Sequence, residues 1–270
     1  MVSFLKLLSN SINCNEDQFW EVSPTKSIFY AVNLNCDLSS DKCANRGLAY
    51  LTKKTVSSEW QTVEHALRYL ARADKLPHRT EGEKTLLELI PSGAKRVLDL
   101  GTGDGRLLAL VKLQYPDVQG VALDFSDPML ERAKKRFAND NQVSFAKHDF
   151  SMPVLKEDLG CFDAVVSSLA IHHLVDARKR QLYAEVFELL NPEGVFCNLE
   201  HVSSPTENVH LKFLSAIGWT PDMEDPSNKL VDVETQLDWL RQIGYVDVDC
   251  YWKWRELGVL AGFKLTHVSN

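Results

Sequence analysis

Short apolar runs alternate with helical hydrophobic patterns between residues 96 and 202, and this alternation organises the chain. Residues 97–100 are a mostly apolar run flanked by polar positions, as in a strand buried on both faces of a parallel sheet. Residues 107–111 place leucine and valine with the spacing of an amphipathic helix. Further strand patterns follow at residues 119–123, 143–150, 162–168 and 194–202. The pattern predicts an α/β fold with a doubly wound, mainly parallel sheet.

The segments outside this alternation have patterns of their own. Residues 1–49 show neither period clearly, which predicts a poorly structured N-terminal extension. Residues 50–91 contain two helical patterns separated at Pro77, and the main domain is expected to cover residues 92–270. Within that domain, residues 203–231 hold three prolines and an apolar segment, as in an insertion. After a last helix, strand patterns at 245–254 and 259–265 are joined by a short turn, which predicts an antiparallel β-hairpin.

A glycine-rich turn follows the first predicted strand. It contains Gly101, Gly103 and Gly105, and Asp99 precedes it. Glycine has no Cβ, so the backbone can adopt positive φ and approach a ligand closely. A dinucleotide fingerprint requires glycine where this chain has Arg106. Asp124 ends the second predicted strand about 20 residues beyond the turn, where Rossmann-like folds place the acid that binds ribose.

The motif D-x-G-x-G-x-G at residues 99–105 resembles motif I of the class I S-adenosylmethionine-dependent methyltransferases of small-molecule type. The segments A-I-H-H-L at 170–174 and L-R-Q-I-G-Y-V-D-V at 240–248 resemble that family as well. The resemblance covers residues 85–264. It implies a seven-stranded sheet with a reversed final strand, N-terminal helices acting as a lid over the cofactor, and an insertion acting as a substrate cap.

The resemblance also implies a set of residues that bind S-adenosylmethionine. Asp99 would hold the ammonium, the glycines would admit the methionine portion, and Asp124 would bond the ribose hydroxyls. The acid after the third strand would bond the adenine amino group, and its neighbour would pack on the ring. The implied cofactor residues are Asp99, Gly101, Thr102, Gly103, Gly105, Asp124, Phe125, Met129, Asp149, Phe150 and Ser168.

The acceptor side is less well defined by the sequence. If the loop after the fourth strand is extended, His172 and His173 point in opposite directions, and His172 is the candidate general base. The alternative is that both histidines are structural. The residues expected to line the acceptor cavity are Trp60, Tyr69, His173, Glu200, His201 and Trp219. The alternatives are core packing for the aromatic residues and turn positions for the polar ones.

Composition and charge argue against several classes of protein. The formal net charge of −7 argues against a binder of DNA or RNA, and the basic clusters at 134–136 and 178–180 are expected on solvated helix faces. No apolar run approaches the length of a transmembrane helix. The six cysteines form no C-x-x-C pair, which favours free thiols in a reducing compartment and a cytoplasmic protein. No metal is expected, because Cys36 and Cys43 have no further ligand at suitable spacing.

The function expected from the sequence is in-line transfer of a methyl group from S-adenosylmethionine to a small molecule. The alternatives are an RNA-directed methyltransferase and an NAD-dependent oxidoreductase. The identity of the acceptor, the need for a general base, the oligomeric state and the catalytic competence of the chain stay open at this stage.

Overall fold

A computed structural model of the protein describes residue 62 and residues 64–66, 70–71, 75–154 and 156–265. The strands are β1 Arg96–Leu100, β2 Gln119–Asp124, β3 Val143–Lys147, β4 Phe162–Ser168, β5 Leu190–His201, β6 Val246–Trp254 and β7 Leu257–Phe263. The helices are α1 Arg79–Leu89, α2 Arg106–Gln114, α3 Asp127–Arg136, α4 Lys156–Leu159, α5 Asp176–Leu189, α6 Glu207–Ala216 and α7 Val233–Ile243. The predicted extension at 1–49 lies outside the described residues, as do Trp60 and Tyr69.

The strands form one seven-stranded sheet in the order β3-β2-β1-β4-β5-β7-β6. Strands β1 to β5 are parallel, while β7 runs antiparallel to both β5 and β6. The predicted α/β sheet and its C-terminal hairpin are therefore confirmed. The strand order reverses between β1 and β4, and in open sheets of this kind ligands bind outside the carboxyl ends of the strands at that point.

Alternate residues of β1 enter two different hydrophobic cores, one on each face of the sheet. Leu98 and Leu100 pack in the core that includes Leu182 of α5, whereas Val97 packs in the core that includes Leu108 of α2. All three β1 side chains are fully buried. This explains why the strand is recognisable as an apolar run rather than as an alternating pattern.

Several element boundaries differ from the sequence prediction, and strand β3 ends at Lys147 instead of residue 150. Strand β5 begins at Leu190 instead of residue 194, because Leu190 pairs with β4 and the side chain of Asn191 donates to Asp163 at 2.8 Å. Strand β7 begins at Leu257 instead of residue 259, because Arg255 takes a positive φ of 52° and shortens the hairpin connection. Polar residues that are typical of a turn belong to strand β5, which the local sequence pattern does not indicate.

The insertion at 203–231 forms helix α6 and an irregular return segment. Thr206 caps the helix by accepting a hydrogen bond from the backbone N–H of Val209 at 3.3 Å. The segment that follows runs beside the exit of β4, where the N–H of Lys229 donates to the carbonyl of His172 at 2.9 Å. Among the described residues, no helix combines the length and apolar character needed to cross a bilayer.

Candidate active site

The three glycines of the turn between β1 and α2 all have positive φ, but they serve different purposes. A Cβ on Gly101 would lie 2.3 Å from the Cβ of Ala170, and one on Gly105 would lie 2.8 Å from the ring of Phe137. A Cβ on Gly103 would meet no atom within 4 Å. Gly101 and Gly105 thus allow close packing of the protein against itself, while Gly103 borders open space.

Asp124 holds this turn in place from the end of β2. Its Oδ2 accepts a hydrogen bond from the N–H of Gly103, and its Oδ1 accepts one from the N–H of Ser126, both at 2.8 Å. Burial raises the pKa of the Asp124 carboxyl, and the backbone amides of Ser126, Gly103 and Phe125 oppose the shift. A carboxylate offers about four acceptor positions, so one is left for a hydroxyl of a ligand.

Asp99 is the second buried carboxyl of the site. Its Oδ2 accepts a hydrogen bond from the hydroxyl of Thr102 at 2.7 Å, while its Oδ1 makes no hydrogen bond within the part of the chain that the structure describes. Burial raises the pKa of Asp99 to about 7, and the negative charge of Asp124 adds to the effect, while the Thr102 hydroxyl opposes it. A cationic ligand group beside Oδ1 would favour the ionised form.

Replacement of Asp99 by asparagine is expected to flatten the pH dependence of stability. The raised pKa means that the folded protein binds a proton more tightly than the unfolded chain, so ligand-free wild type loses stability as pH rises from about 4 to 7. The slope from this group approaches about 1.4 kcal/mol per pH unit. Melting temperatures between pH 5 and 8 should fall more steeply for wild type than for Asp99→Asn. Parallel profiles would show that Asp99 is not buried as described.

A cavity of about 330 Å³ opens where Asp99 and Asp124 end their strands. Its wall includes every predicted cofactor residue except Gly105, namely Asp99, Gly101, Thr102, Gly103, Asp124, Phe125, Met129, Asp149, Phe150 and Ser168. Gly105 is away from the wall because its space is filled by α3, against which α2 packs. The Oγ of Ser168 is buried and, like Asp99 Oδ1, has no hydrogen-bond partner among the described residues. Asp99 and Ser168 therefore line the same cavity, and each has a buried polar atom without a hydrogen-bond partner among the described residues.

The part of the wall that follows β3 combines an aromatic ring with a carboxylate. Phe150 is buried there, as is Met129 of α3, and Asp149 accepts a hydrogen bond from the N–H of Ser151 at 2.8 Å. Arg178 of α5 donates to the carbonyl of Phe150 at 2.6 Å and so fixes the end of this segment. The arrangement offers a flat apolar surface next to one carboxylate.

The cavity wall also contains charged side chains that the sequence analysis missed. Arg79 of α1 and Arg106 of α2 both bind the buried carboxylate of Glu83, Arg79 through Nε at 2.9 Å and Arg106 through Nε and Nη2 at 2.8 and 2.9 Å. Two guanidinium groups thus converge on one buried carboxylate beside the cavity. Arg79 and Glu83 have the i,i+4 spacing of a helical pair, but no local signal connects them with Arg106.

The two adjacent histidines differ from the sequence prediction. Residues Ile171–His173 form a single 3₁₀ turn rather than an extended loop, and the two imidazole rings lie 4.2 Å apart instead of pointing in opposite directions. His173 lines the cavity, whereas the candidate base His172 is buried behind it. The Nδ1 atom of His172 lies 2.7 Å from Oε1 of Glu200. His172 is thus placed to support the wall rather than to face an acceptor.

Three residues expected to line the acceptor cavity are placed elsewhere. Glu200 is buried against His172 and also accepts hydrogen bonds from the amide of Asn198 and the N–H of His201. The Nε2 atom of His201 lies 3.0 Å from Oε2 of Glu256. Trp219 packs against the hydrophobic cluster below α6. Glu200 and His201 thus have hydrogen-bond partners inside the protein. Such partners are needed because burying a polar or charged group without one is costly.

No group of three histidine, cysteine, aspartate or glutamate side chains among the described residues is arranged to hold a metal ion.

Comparisons with known proteins agree with this geometry. Residues 97–194 match the family model described as "Methyltransferase domain". This segment is a methyltransferase domain. The match runs from β1 into β5 and includes the turn glycines together with Asp99, Asp124 and Asp149. The helix that carries Arg79 and the segment that carries Lys229 lie outside it, so the match describes the cofactor side of the methyltransferase domain.

Curated relatives are similar over part of the chain. An uncharacterized methyltransferase of Mycobacterium tuberculosis is 34% identical over 120 residues, which are 44% of this chain and 57% of the relative. A ubiquinone/menaquinone biosynthesis C-methyltransferase of Desulfotalea psychrophila is 37% identical over 125 residues, which are 45% of this chain and 47% of the relative. The chain therefore spans about half the length of these relatives.

Solved structures share the fold. An O-methyltransferase family protein from Burkholderia thailandensis superposes with a TM-score of 0.56 at 16% identity, over 70% of this chain and 57% of that one. Human N-acetylserotonin methyltransferase, solved in complex with S-adenosylmethionine, superposes with a TM-score of 0.58 at 17% identity, over 79% of this chain and 60% of that one. At these identities the likeness concerns the fold of the methyltransferase domain.

Proposed function

We propose that this protein transfers a methyl group from S-adenosylmethionine to a small-molecule acceptor. The observation that carries the proposal is the cavity at the ends of β1 and β2, which is lined by both Asp99 and Asp124. Oδ1 of Asp99 has no hydrogen-bond partner among the described residues, and Asp124 retains an acceptor position. Those groups suit a ligand that has both an ammonium and a hydroxyl group.

Each part of the cofactor has a suitable partner in the wall. Asp99 would accept from the ammonium, and Asp124 would accept from a ribose hydroxyl. Asp149 would receive the adenine amino group, with the ring packed on Phe150. Arg79 and Arg106 line the same cavity, and their guanidinium groups would donate to the carboxylate of the methionine portion.

When bound, S-adenosylmethionine supplies a methyl group that is already activated by a cationic sulfur. The protein therefore has to align the acceptor and keep water away, and correct alignment of two reactants is worth roughly 7–11 kcal/mol. Leu169, Ala170 and Leu174 form an apolar wall at the exit of β4, close to the cofactor residues. We infer that this wall excludes water from the reacting groups.

A small-molecule acceptor is favoured over RNA on two grounds. The net charge is −7, and a chain of this charge repels a polyanion unless it has a basic surface. The relative from Desulfotalea psychrophila is named for quinone biosynthesis, and a low-molecular-weight acceptor is our proposal for this chain as well.

The proposal is tested by following S-adenosylhomocysteine formation. We expect the purified protein to convert S-adenosylmethionine when it is supplied with an ultrafiltrate of source cells, and to be inactive with the RNA fraction of the same cells. Asp124→Asn serves as the negative control. Turnover that requires RNA would contradict the small-molecule acceptor, and absence of turnover with both fractions would contradict the activity.

A further inference from the structure

The cavity is also lined by polar residues of the insertion and of the 3₁₀ turn. Ser227 and Lys229 lie in its wall together with His173, and the aliphatic side chains of Leu70, Leu169 and Leu174 surround them. None of the three polar residues belongs to the turn-and-strand-end set that would bind S-adenosylmethionine.

Lys229 is a cation without a carboxylate partner in the part of the chain that the structure describes. Its Nζ donates to the carbonyl of His173 at 2.9 Å and to that of Ser227 at 3.1 Å. An ammonium has three N–H donors, so one is left after these two contacts. Both acceptors are backbone carbonyls, which position the ammonium without neutralising its charge.

The hydrogen bonds around Ser227 define the tautomer of His173. The Oγ of Ser227 lies 2.7 Å from Oδ1 of Asp225 and 2.7 Å from Nδ1 of His173. A carboxylate only accepts, so the single hydroxyl proton of Ser227 is directed at Asp225. The Oγ must then accept from the N–H at Nδ1 of His173. The neutral ring therefore has Nε2 as its basic nitrogen.

His173 is neutral near pH 7 in this surrounding. Burial lowers the pKa of His173 well below its usual value, and electrostatic interactions with His172, Lys229 and His201 act in the same direction. These groups come from the 3₁₀ turn, the return segment of the insertion and β5. The carboxylate of Asp225 reaches His173 through the Ser227 hydroxyl.

We propose that His173, Ser227 and Lys229 form the acceptor site, and that they select an oxygen acid: a phenol, enol or carboxyl group on an apolar body. The inference rests on the proposed function and names its substrate class. Lys229 would stabilise negative charge on the acceptor oxygen, and the leucines would hold the apolar body. A cationic amine would meet a like charge at Lys229.

The proton of a hydroxyl acceptor has a defined destination. As the acceptor oxygen forms its bond to the methyl carbon, the carbon–sulfur bond breaks and its electron pair goes to sulfur, while the hydroxyl proton passes to Nε2 of His173. The imidazolium that results keeps its Nδ1–H on Ser227, which stays bonded to Asp225. The cationic charge moves from sulfur to imidazole, so the net charge of the closed site does not change.

The substrate class is tested on the protein saturated with S-adenosylhomocysteine. Aryl carboxylates, phenols and arylmethylamines of matched size, beginning with benzoate and benzylamine, are compared by the rise in melting temperature. We expect the oxygen acids to raise it and the amines to leave it unchanged. Lys229→Met should weaken benzoate binding by at least about tenfold, as expected for loss of a charge-assisted hydrogen bond. Lys135→Met, at an exposed position of α3, is the matched control and should bind like wild type.

The outcomes separate this inference from the proposed function. If S-adenosylhomocysteine itself fails to stabilise the protein, the proposed function is contradicted. If it stabilises both wild type and Lys229→Met, but amines bind as well as oxygen acids or no oxygen acid binds, the acceptor class is contradicted while the proposed function stands.

The role of Ser227 and Asp225 in positioning His173 has its own measurement. The nitrogen chemical shifts of protein labelled at histidine distinguish the two neutral tautomers. Wild type is expected to have the proton of His173 on Nδ1. In Asp225→Asn the side-chain amide can donate to Ser227, which frees the hydroxyl proton to turn toward His173 and shifts the ring toward the other tautomer. A wild-type ring protonated at Nε2 would overturn the assignment.

Discussion

Asp124→Asn is expected to lower the affinity for S-adenosylhomocysteine by about a hundredfold or more. The carboxylate holds the turn through Gly103 and Ser126, and its remaining acceptor position would receive a ribose hydroxyl. Asparagine replaces one carboxylate oxygen by an NH₂ group, which cannot accept hydrogen bonds. The bonds that this oxygen accepts from the backbone and from the ligand are therefore lost. Two charge-assisted bonds at about 1.5–3 kcal/mol each give the expected loss. Isothermal titration with S-adenosylhomocysteine measures it.

The matched control is Asp127→Asn. Asp127 lies three residues further on at the start of α3, where its exposed carboxylate pairs with Lys147. Loss of such a surface pair changes stability by less than about 1 kcal/mol and should leave ligand affinity unchanged. An Asp124→Asn protein that binds as tightly as this control would show that the ribose does not lie at Asp124.

Gly101→Ala is expected to lower the free energy of unfolding by about 2–5 kcal/mol. The new Cβ would lie 2.3 Å from the Cβ of Ala170, and overpacking of this kind costs about 1–3 kcal/mol. The positive φ of 70° costs a further 1–2 kcal/mol or so for a residue with a Cβ. Denaturant-induced unfolding of wild type and variant measures the difference.

Two companion variants separate the packing cost from the backbone cost. Adding Ala170→Gly to Gly101→Ala removes the contact between the two Cβ atoms. The double variant should therefore regain the free energy of unfolding that was lost to overpacking and keep only the loss that comes from the positive φ. Gly103→Ala, with a φ of 56° and no atom within 4 Å of the new Cβ, should lose only the backbone part. Equal losses at Gly101 and Gly103 would contradict the packing described for the turn.

The cofactor side of the site was largely predictable because its geometry follows from local patterns. Each candidate acid ends or follows a strand that is visible as an apolar run, and parallel strands bring their carboxyl ends to one edge of a sheet. The glycine turn joins such a strand to a helix, so the positions of Asp99 and Asp124 followed from chain order alone. Gly105 shows the limit, because its spacing does not reveal whether helix α3 or a ligand occupies the neighbouring space.

The acceptor side depends on contacts between distant segments, which have no local signature. The turn that places His173 at the cavity and His172 behind it is tied to Lys229, 56 residues further along the chain from His173. Arg79 and Arg106 meet on Glu83 only after α1 and α2 pack together. Glu200 and His201 end a strand just as Asp124 does, yet Glu200 pairs with His172 and His201 pairs with Glu256 inside the protein.

The most direct measurement is thermal unfolding of the purified protein with S-adenosylhomocysteine and, in a parallel sample, with NADH. A ligand present at about 100 times its dissociation constant stabilises the native state by roughly 2.7 kcal/mol. We expect the melting temperature to rise with S-adenosylhomocysteine and to stay unchanged with NADH. A rise with NADH alone, or no rise with S-adenosylhomocysteine, would contradict the assignment of the cavity at Asp99 and Asp124.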